Sequence, residues 1–371
     1  MHHRLRTRLD EAGCRLLSRC LTEAQLDRAL RAAPQWKQQP LARVLLAPTA
    51  ARDDAAVAAM HSTERAVRSV RLRNDEGLTR WLTAQLDAAC DDKNFTGASS
   101  RLAELRAVGD LLTAGFDVAP VARQKDKPTP DFKVVASEVE VCVEVHAKQM
   151  NGREAAKVEE FLKGQGGVVG RRSGNVVFRE HDVSPAGALK AGENVGLNVA
   201  SKFADIKRGA HQAASGVPTI LWLDLHDEDW WPAKLANLEP VVSSRGAFWS
   251  VGFWHAVYGG KGIPVFENQI VWPRPLERVP AMQHEGLFKN AVGKWSGVLW
   301  SMSDGSTFFE DPESEAATPP QWSEGAINLP GFSFERAWMS WPQDRPTLLA
   351  RVRSALEMLK SLAEKARHEI V

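Results

Sequence analysis

Several chemistries are excluded by what the sequence lacks. The chain of 371 residues has only four cysteines, and none of them are in C-x-x-C spacing, which argues against a disulfide framework and a thiolate zinc site. The sequence contains no G-x-S-x-G, no H-E-x-x-H and no glycine-rich nucleotide fingerprint. No motif therefore supports serine hydrolase, zinc peptidase or dinucleotide chemistry.

A strong excess of either charge is also absent. The net charge is +1, from 47 basic and 46 acidic residues, so any contact with nucleic acid must use a local patch. No apolar run approaches the roughly 18 residues of a membrane span, and Met1–Arg8 lacks the apolar segment of a secretion signal. We therefore expect a cytoplasmic protein that does not bind membranes.

The segment Pro128–Lys148 carries most of the chemistry that the sequence does contain. From Val139 to Ala147 an apolar residue stands at every second position, which is the period of a half-buried strand. The opposite face of this strand would hold Glu140, Cys142, Glu144, His146 and Lys148. An edge strand facing water would explain that face, and a functional site is the alternative.

A second carboxylate lies upstream of this strand. Pro130-Asp131 precedes Phe132–Val135, a short strand that can turn back onto Val139–Ala147. This hairpin would bring the Asp131 carboxylate towards Glu144. Two carboxylates at the ends of paired strands can hold Mg²⁺, which prefers oxygen ligands and keeps several waters for a phosphate substrate.

This order of residues resembles the PD-(D/E)xK nuclease superfamily. The resemblance rests on Glu104 in an amphipathic helix that ends at Gly115, on Pro130-Asp131, and on Glu144. It implies an α/β fold with a restriction-endonuclease-like mixed sheet flanked by helices. It also implies Mg²⁺ (or Mn²⁺) held by Asp131, Glu144 and Glu104, and metal-dependent hydrolysis of phosphodiesters in nucleic acid, with DNA as the expected partner. In bacteria such nucleases serve defence, restriction or toxicity.

The chain departs from the family pattern at one position. The lysine expected two residues after Glu144 is replaced by His146, and the nearest lysine is Lys148. Lys148 lies on the same strand face, so it could supply the cation, or His146 could position the attacking water. The third alternative is a catalytically inactive module that binds nucleic acid or another protein. An incidental pattern in a structural protein would be revealed by a helical core without a mixed sheet.

Further residues are candidates for contacts with nucleic acid. Gly164–Gly174 sets Arg171 and Arg172 among glycines, which suits a phosphate-binding loop, although a plain turn explains it as well. Lys202 and Gln212 lie on the next predicted helix, at polar positions that resemble those facing the site in the superfamily. Ordinary surface positions are the alternative for both.

The remaining chain suggests three regions. Residues 1–95 read as a helical accessory domain, residues 96–341 as the nuclease-like domain, and residues 342–371 as a C-terminal helix that could pair with another copy. Within the second region we predict strands at Ala247–Tyr258 and Ser296–Ser303. We predict a solvated loop at the acidic run His226–Asp229, with a second metal site as the alternative. Eleven of the 13 tryptophans lie between Trp222 and Trp341, mostly as core, with base stacking as the alternative.

Overall fold

The computed structural model describes residues 2–31, 39–49, 54–122, 129–136, 138–148, 168–173, 176–180, 195–204, 206, 213, 216–226, 239–244, 247–266, 269–270, 279–290, 294–303, 305–332 and 344–368. In these residues the chain is mixed α/β, with a helical N-terminal region followed by a six-stranded mixed sheet flanked by helices. The expected fold class is confirmed at this level.

Helices fill the described residues before the first strand. They are α1 His2–Glu11, α2 Arg15–Arg19, α3 Glu23–Leu30, α4 Pro40–Leu46, α5 Asp54–Leu72, α6 Glu76–Ala89 and α7 Phe95–Thr113. Helix α3 begins with a capping box, in which Thr22 and Gln25 exchange hydrogen bonds at 3.3 and 2.9 Å. Helix α7 ends as predicted, because Gly115 adopts φ +93° and Phe116 N–H returns to the Leu111 carbonyl.

The strands form one large and two small sheets. They are β1 Asp117–Pro120, β2 Phe132–Ala136, β3 Val139–Ala147, β4 Val168–Ser173, β5 Val176–Glu180, β6 Thr219–Asp224, β7 Val241–Ser244, β8 Ala247–Ser250, β9 Gln269–Ile270, β10 Gly297–Met302 and β11 Gly305–Glu310. The large sheet has the order β1-β2-β3-β6-β10-β11. The pairs β3–β6 and β6–β10 are parallel, and the other three are antiparallel.

The later helices lie between and after these strands. They are α8 Val195–Ala204, α9 Gly252–Tyr258, α10 Leu287–Asn290, α11 Pro320–Ala326 and α12 Arg345–His368. Helix α12 confirms the predicted C-terminal helix, and β10 confirms the strand predicted at Ser296–Ser303. None of the helices in the described part of the chain combines the length and hydropathy needed to cross a lipid bilayer.

The large sheet separates two hydrophobic clusters. One face, which we call face A, presents Val143, Val145 and Trp222 to a cluster that includes residues of α1 to α7. The opposite face, face B, presents Leu221 and Trp300 to a second cluster, to which α8, α9 and α12 contribute. The predicted accessory region 1–95 therefore shares one continuous core with face A. The five tryptophans of these clusters are at most 1% exposed and act as core: Trp222, Trp254, Trp295, Trp300 and Trp322.

The half-buried interpretation of β3 is wrong for the middle of the strand. Strand β3 lies between β2 and β6, and its second face is covered by the face B cluster. Cys142 and Glu144 are accordingly only 2% and 3% exposed. At Glu144 the polar face of the strand therefore carries a charged group inside the protein and does not face water.

Two other local predictions are corrected. Residues Gly252–Tyr258, expected as strand, form α9, all of whose residues are buried; a helix buried on all sides has no amphipathic period to distinguish it from a strand. The loop expected at Gly164–Gly174 contains strand β4, whose register shifts between Val169 and Arg172. Its backbone groups are used largely in pairing with β5. The sequence also predicts a helix at 154–163, and these residues lie outside the described part of the chain.

A close contact between α5 and α7 fixes the helical layer on the sheet. A Cβ added to Gly109 would lie 2.2 Å from Ala66 Cα, so only glycine permits this approach. The contact places Arg65 of α5 beside Asp110 of α7, where Arg65 Nη2 lies 2.9 Å from Asp110 Oδ1.

Candidate functional site

The carboxylate of Asp131 lies at the end of the β2–β3 hairpin. Asp131 Oδ2 accepts a hydrogen bond of 2.9 Å from the backbone N–H of Val145, the residue directly after Glu144. The recorded strand register pairs Phe132 with Val143, so Asp131 stands opposite Glu144, one step further along. The predicted hairpin and the approach of Asp131 to this strand end are confirmed.

Glu144 belongs to face B of the sheet. Its register partner in β6 is Leu221, which lies in the face B cluster. Because side chains of registered residues point to the same face of a sheet, Glu144 points to the side covered by α8. His146 and Lys148 follow at intervals of two residues and share this face, and both are half-buried.

Helix α8 covers the far end of this face. Lys148 Nζ donates a hydrogen bond of 3.3 Å to the carbonyl of Lys202 and lies 5.7 Å from the centre of the Phe203 ring. The Lys148 ammonium is therefore held at the last turn of α8, where helix carbonyls carry partial negative charge. Lys202 therefore contacts Lys148 through its backbone carbonyl.

Glu104 lies on a different face from the hairpin carboxylates. Helix α7 packs on face A, and Glu104 is 5% exposed, so it does not point into solvent. Its carboxylate accepts hydrogen bonds from Gln85 Nε2 at 2.9 Å and from Arg101 Nη1 at 3.0 Å. In the described residues no three or more histidine, cysteine, aspartate or glutamate side chains form a group that could hold a metal ion. Glu104 thus does not join Asp131 and Glu144 in such a group.

The other predicted nucleic-acid contacts are only partly within the described structure. Arg171 and Arg172 lie in β4, and their side chains are outside the described part. Gln212 and Asp227–Asp229 are outside the described residues altogether.

A second polar cluster, which the motifs did not indicate, lies on face A. Arg106 Nε and Nη2 each donate a hydrogen bond of 2.8 Å to Asp224, and both side chains are 0% exposed. The His226 ring Nδ1 lies 3.4 Å from Asp224 Oδ2. His226 is itself 3% exposed, so the expectation that it stands in a solvated loop is wrong.

The electrostatics of this cluster differ between its two aspartates. Burial alone would raise the pKa of Asp224, but Arg106 and His226 together hold that pKa well below its ordinary value. Burial raises the pKa of Asp110, against the opposing influence of Arg65. Asp224 is therefore a carboxylate at neutral pH, whereas Asp110 takes up a proton more readily than an exposed aspartate.

One sequence signal could have indicated part of this cluster. Ala58, His61, Ser62 and Arg65 stand at i, i+3, i+4 and i+7 of α5 and so share one helix face. That face is polar although the helix belongs to a buried layer. Asp224 likewise ends an otherwise apolar strand.

Comparison of the chain with protein-family models, with curated proteins and with solved structures finds no significant match in any of the three.

Proposed function

We propose that the protein is a metal-dependent nuclease of the PD-(D/E)xK type, acting on nucleic acid, with DNA as the expected substrate and Mg²⁺ or Mn²⁺ as the cofactor. The single observation that carries this proposal is the hydrogen bond from Val145 N–H to Asp131. It sets a Pro-Asp carboxylate at the strand end that also bears Glu144.

The order of elements around this hydrogen bond supports the proposal. A helix, three antiparallel strands, a helix and a further strand parallel to the third occur in this order as α7, β1 to β3, α8 and β6, with the small β4–β5 sheet between β3 and α8. This is the order of elements that the resemblance implies for a restriction-endonuclease-like core.

The donor set at the strand end suits a hard divalent cation. Asp131 and Glu144 supply carboxylate oxygens. In a strand the N–H and C=O of one residue point to the same neighbour, so the Val145 carbonyl points towards β2 with the N–H that Asp131 binds. Once bound, the cation would lower the pKa of a coordinated water and screen the phosphate.

The chain's own groups would orient the substrate and the water. Asp131 is held in position by the Val145 N–H, and Glu144 by its strand between β2 and β6. Lys148 or His146, on the same face, would place a positive charge or a hydrogen-bonding group beside the attacked phosphate. Glu104 lies on face A, where its carboxylate accepts hydrogen bonds from Gln85 and Arg101, and it takes no part in this proposal.

The second candidate function is a nuclease-like module that binds nucleic acid or protein without cutting it. The hydrogen bond from the Lys148 ammonium to the Lys202 carbonyl favours this second function. Lys148 is the lysine nearest to position 146, where the nuclease superfamily has its lysine, and this hydrogen bond already uses its ammonium. The two functions differ in whether the purified chain cleaves nucleic acid.

The test uses the full chain with plasmid DNA, single-stranded DNA and RNA, each with Mg²⁺, Mn²⁺ or a chelator. We expect metal-dependent cleavage of at least one substrate by the wild type. Asp131→Asn and Glu144→Gln should abolish it while leaving the melting temperature near or above that of the wild type, since adjacent carboxylates repel each other without a cation.

A matched control is available on the same strand. Glu140 lies on the same face as Glu144 but is exposed and paired with Lys133 at 2.8 Å, so Glu140→Gln should leave cleavage unchanged. Cation binding, measured as a Mg²⁺- or Mn²⁺-dependent rise in melting temperature, should be lost in the Asp131 and Glu144 variants only. Full cleavage by both variants would exclude this site, and binding without cleavage by the wild type would favour the second candidate.

A further inference from the structure

A cavity of about 250 Å³ lies on face A, between α5 and the carboxyl ends of β6 and β10. Its polar lining consists of His61, Ser62, Arg65, Asp110, His226 and Ser301, with Ser303 beside them. The cavity is on the opposite side of the sheet from Glu144, so it is separate from the proposed nuclease site.

The position of the cavity is one at which α/β sheets bind ligands. Strands β6 and β10 are parallel, with Asp224 registered against Ser301 at their carboxyl ends. Ligands of open α/β sheets bind outside the carboxyl ends of such strands. Gly305 and Gly331 form part of the wall, and Gly305 adopts φ +141° with the Gly331 carbonyl against it, which leaves no room there for a side chain.

Arg65 is held in a fixed orientation at the cavity. Its Nε and Nη2 both donate to Asp110 Oδ1, at 3.1 and 2.9 Å. In the described part of the chain its third nitrogen, Nη1, makes no hydrogen bond, and the side chain is 35% exposed. A guanidinium fixed on one edge in this way can bind a further oxyanion without losing its present partner.

His226 presents a buried ring to the same cavity. Its side chain is 4% exposed, and the buried Nδ1, which lies 3.4 Å from Asp224 Oδ2, has no hydrogen-bond partner within the described residues. A buried ring nitrogen without a hydrogen bond is costly unless a ligand or water supplies one.

The hydrogen-bond donors of the lining favour a negatively charged ligand group. Each carboxylate of the cluster already has a guanidinium partner, Asp110 with Arg65 and Asp224 with Arg106. Hydrogen-bond donors remain in excess at the cavity, from Arg65, the histidines and the serine hydroxyls.

We propose that this cavity binds a small molecule through an oxyanion group, a phosphate or a carboxylate, held by Arg65, His226 and the serine hydroxyls. The volume of about 250 Å³ admits a ligand group of metabolite size. His61, on the exposed side of α5, stands at the entrance. The inference does not depend on nuclease activity, because the residues that carry it lie on the other face of the sheet.

The test is isothermal titration calorimetry of the full chain with two probes, inorganic phosphate and malonate. We expect saturable binding of at least one, and the tighter probe identifies the oxyanion as phosphate or carboxylate. Arg65→Met should weaken that binding by about tenfold or more, the loss expected for a hydrogen bond to a charged group. Arg68→Met removes a positive charge one turn away, outside the cavity, and should leave affinity unchanged.

A second variant keeps the test decisive if Arg65→Met does not fold. Ala58 is half-buried and lines the cavity, so Ala58→Phe should fill it without changing any charge and abolish binding while the melting temperature stays near that of the wild type. The inference is overturned if neither probe binds saturably, if Ala58→Phe binds as the wild type does, or if Arg68→Met loses as much affinity as Arg65→Met.

Discussion

Arg106 and Asp224 form a fully buried, two-pronged ion pair that joins α7 to the end of β6. Both hydrogen bonds measure 2.8 Å, and neither side chain is exposed to solvent. The pair connects the helical layer to the carboxyl end of the central strand. It also sets the backbone of His226, whose N–H donates to Asp224 Oδ1 at 3.1 Å. The geometry of the face A cavity therefore depends on this pair.

Removing one partner of this pair should destabilise the protein more than removing both. Asp224→Leu or Arg106→Met alone leaves an uncompensated buried charge, which costs about 3–5 kcal/mol in the free energy of unfolding. The double variant Arg106→Met with Asp224→Leu should recover much of that loss, because no buried charge remains. Urea denaturation of the three variants measures this, and losses that simply add would contradict it.

Gly109→Ala should destabilise the protein, contrary to the usual effect of alanine in a helix. Alanine normally stabilises a helix interior by roughly 0.5–1 kcal/mol relative to glycine. Here its Cβ would lie 2.2 Å from Ala66 Cα, so α5 and α7 must separate, at a cost of about 1–3 kcal/mol. The control is Gly77→Ala in α6, where the added Cβ would lie 3.1 Å from the Asp75 side chain. The melting temperatures of the two variants are compared by thermal unfolding. Equal effects of the two substitutions would disprove the role of Gly109.

The local sequence pattern predicted those helices and strands that are determined by interactions between residues close together in the sequence. The hairpin of β2 and β3, the strand within Ser296–Ser303 and the C-terminal helix follow from alternation, an apolar run and helical periodicity, and each is present. The Asp131 carboxylate could be placed near Glu144 because a short hairpin leaves few alternatives.

Long-range pairing was not predictable in the same way. Arg106 and Asp224 are separated by 118 positions, and nothing in either local segment specifies the other. The burial of Glu144 was missed for a related reason, since only the packing of distant helices on face B turns a polar strand face into an interior one. The relation between Glu104 and the hairpin likewise depends on which face of the sheet α7 covers.

The contribution of Glu310 and Asp311 to the stability of the protein should fall as the pH rises from about 4 to 7. Burial raises the pKa of Glu310 to about 7 and that of Asp311 to about 6. Both exceed the reference values of roughly 4 for unfolded chains, so the folded state retains protons that the unfolded state releases. The stabilisation is present below about pH 4 and is lost as the pH passes about 6 and 7.

Glu310→Gln should remove part of this dependence. The variant should be more stable than the wild type at pH 8, by on the order of 1–3 kcal/mol, with little difference at pH 4. Chemical denaturation across this range measures it, with Glu357→Gln on the exposed face of α12 as the control. A constant difference between variant and wild type at every pH would refute the assignment.

Lys148, and not His146, should supply the positive charge in the proposed nuclease. Lys148 carries a fixed charge, whereas a histidine is mostly neutral above its reference pKa of about 6.5. Because Lys148 restores the charge that phosphate chemistry needs, Lys148→Ala should eliminate cleavage. It should also lower the stability slightly, since its ammonium contacts the Lys202 carbonyl at the end of α8. Under this assignment His146→Ala should be mild and leave the pH profile near neutrality unchanged.

The alternative is that His146 has this role, and it predicts a different result. If His146 positions the water, His146→Ala should reduce the cleavage rate by about 10²-fold or more and remove an ionisation from the acid limb of the rate profile. Lys133→Ala is the control, because Lys133 is exposed and its ammonium pairs with Glu140. Cleavage that appears only in His146→Lys, with an inactive wild type, would show that the strand end has lost its lysine along with its activity. The wild-type protein would then be a nuclease-like binding module. Its carboxylates and fold would be intact, and only the missing positive charge would prevent cleavage.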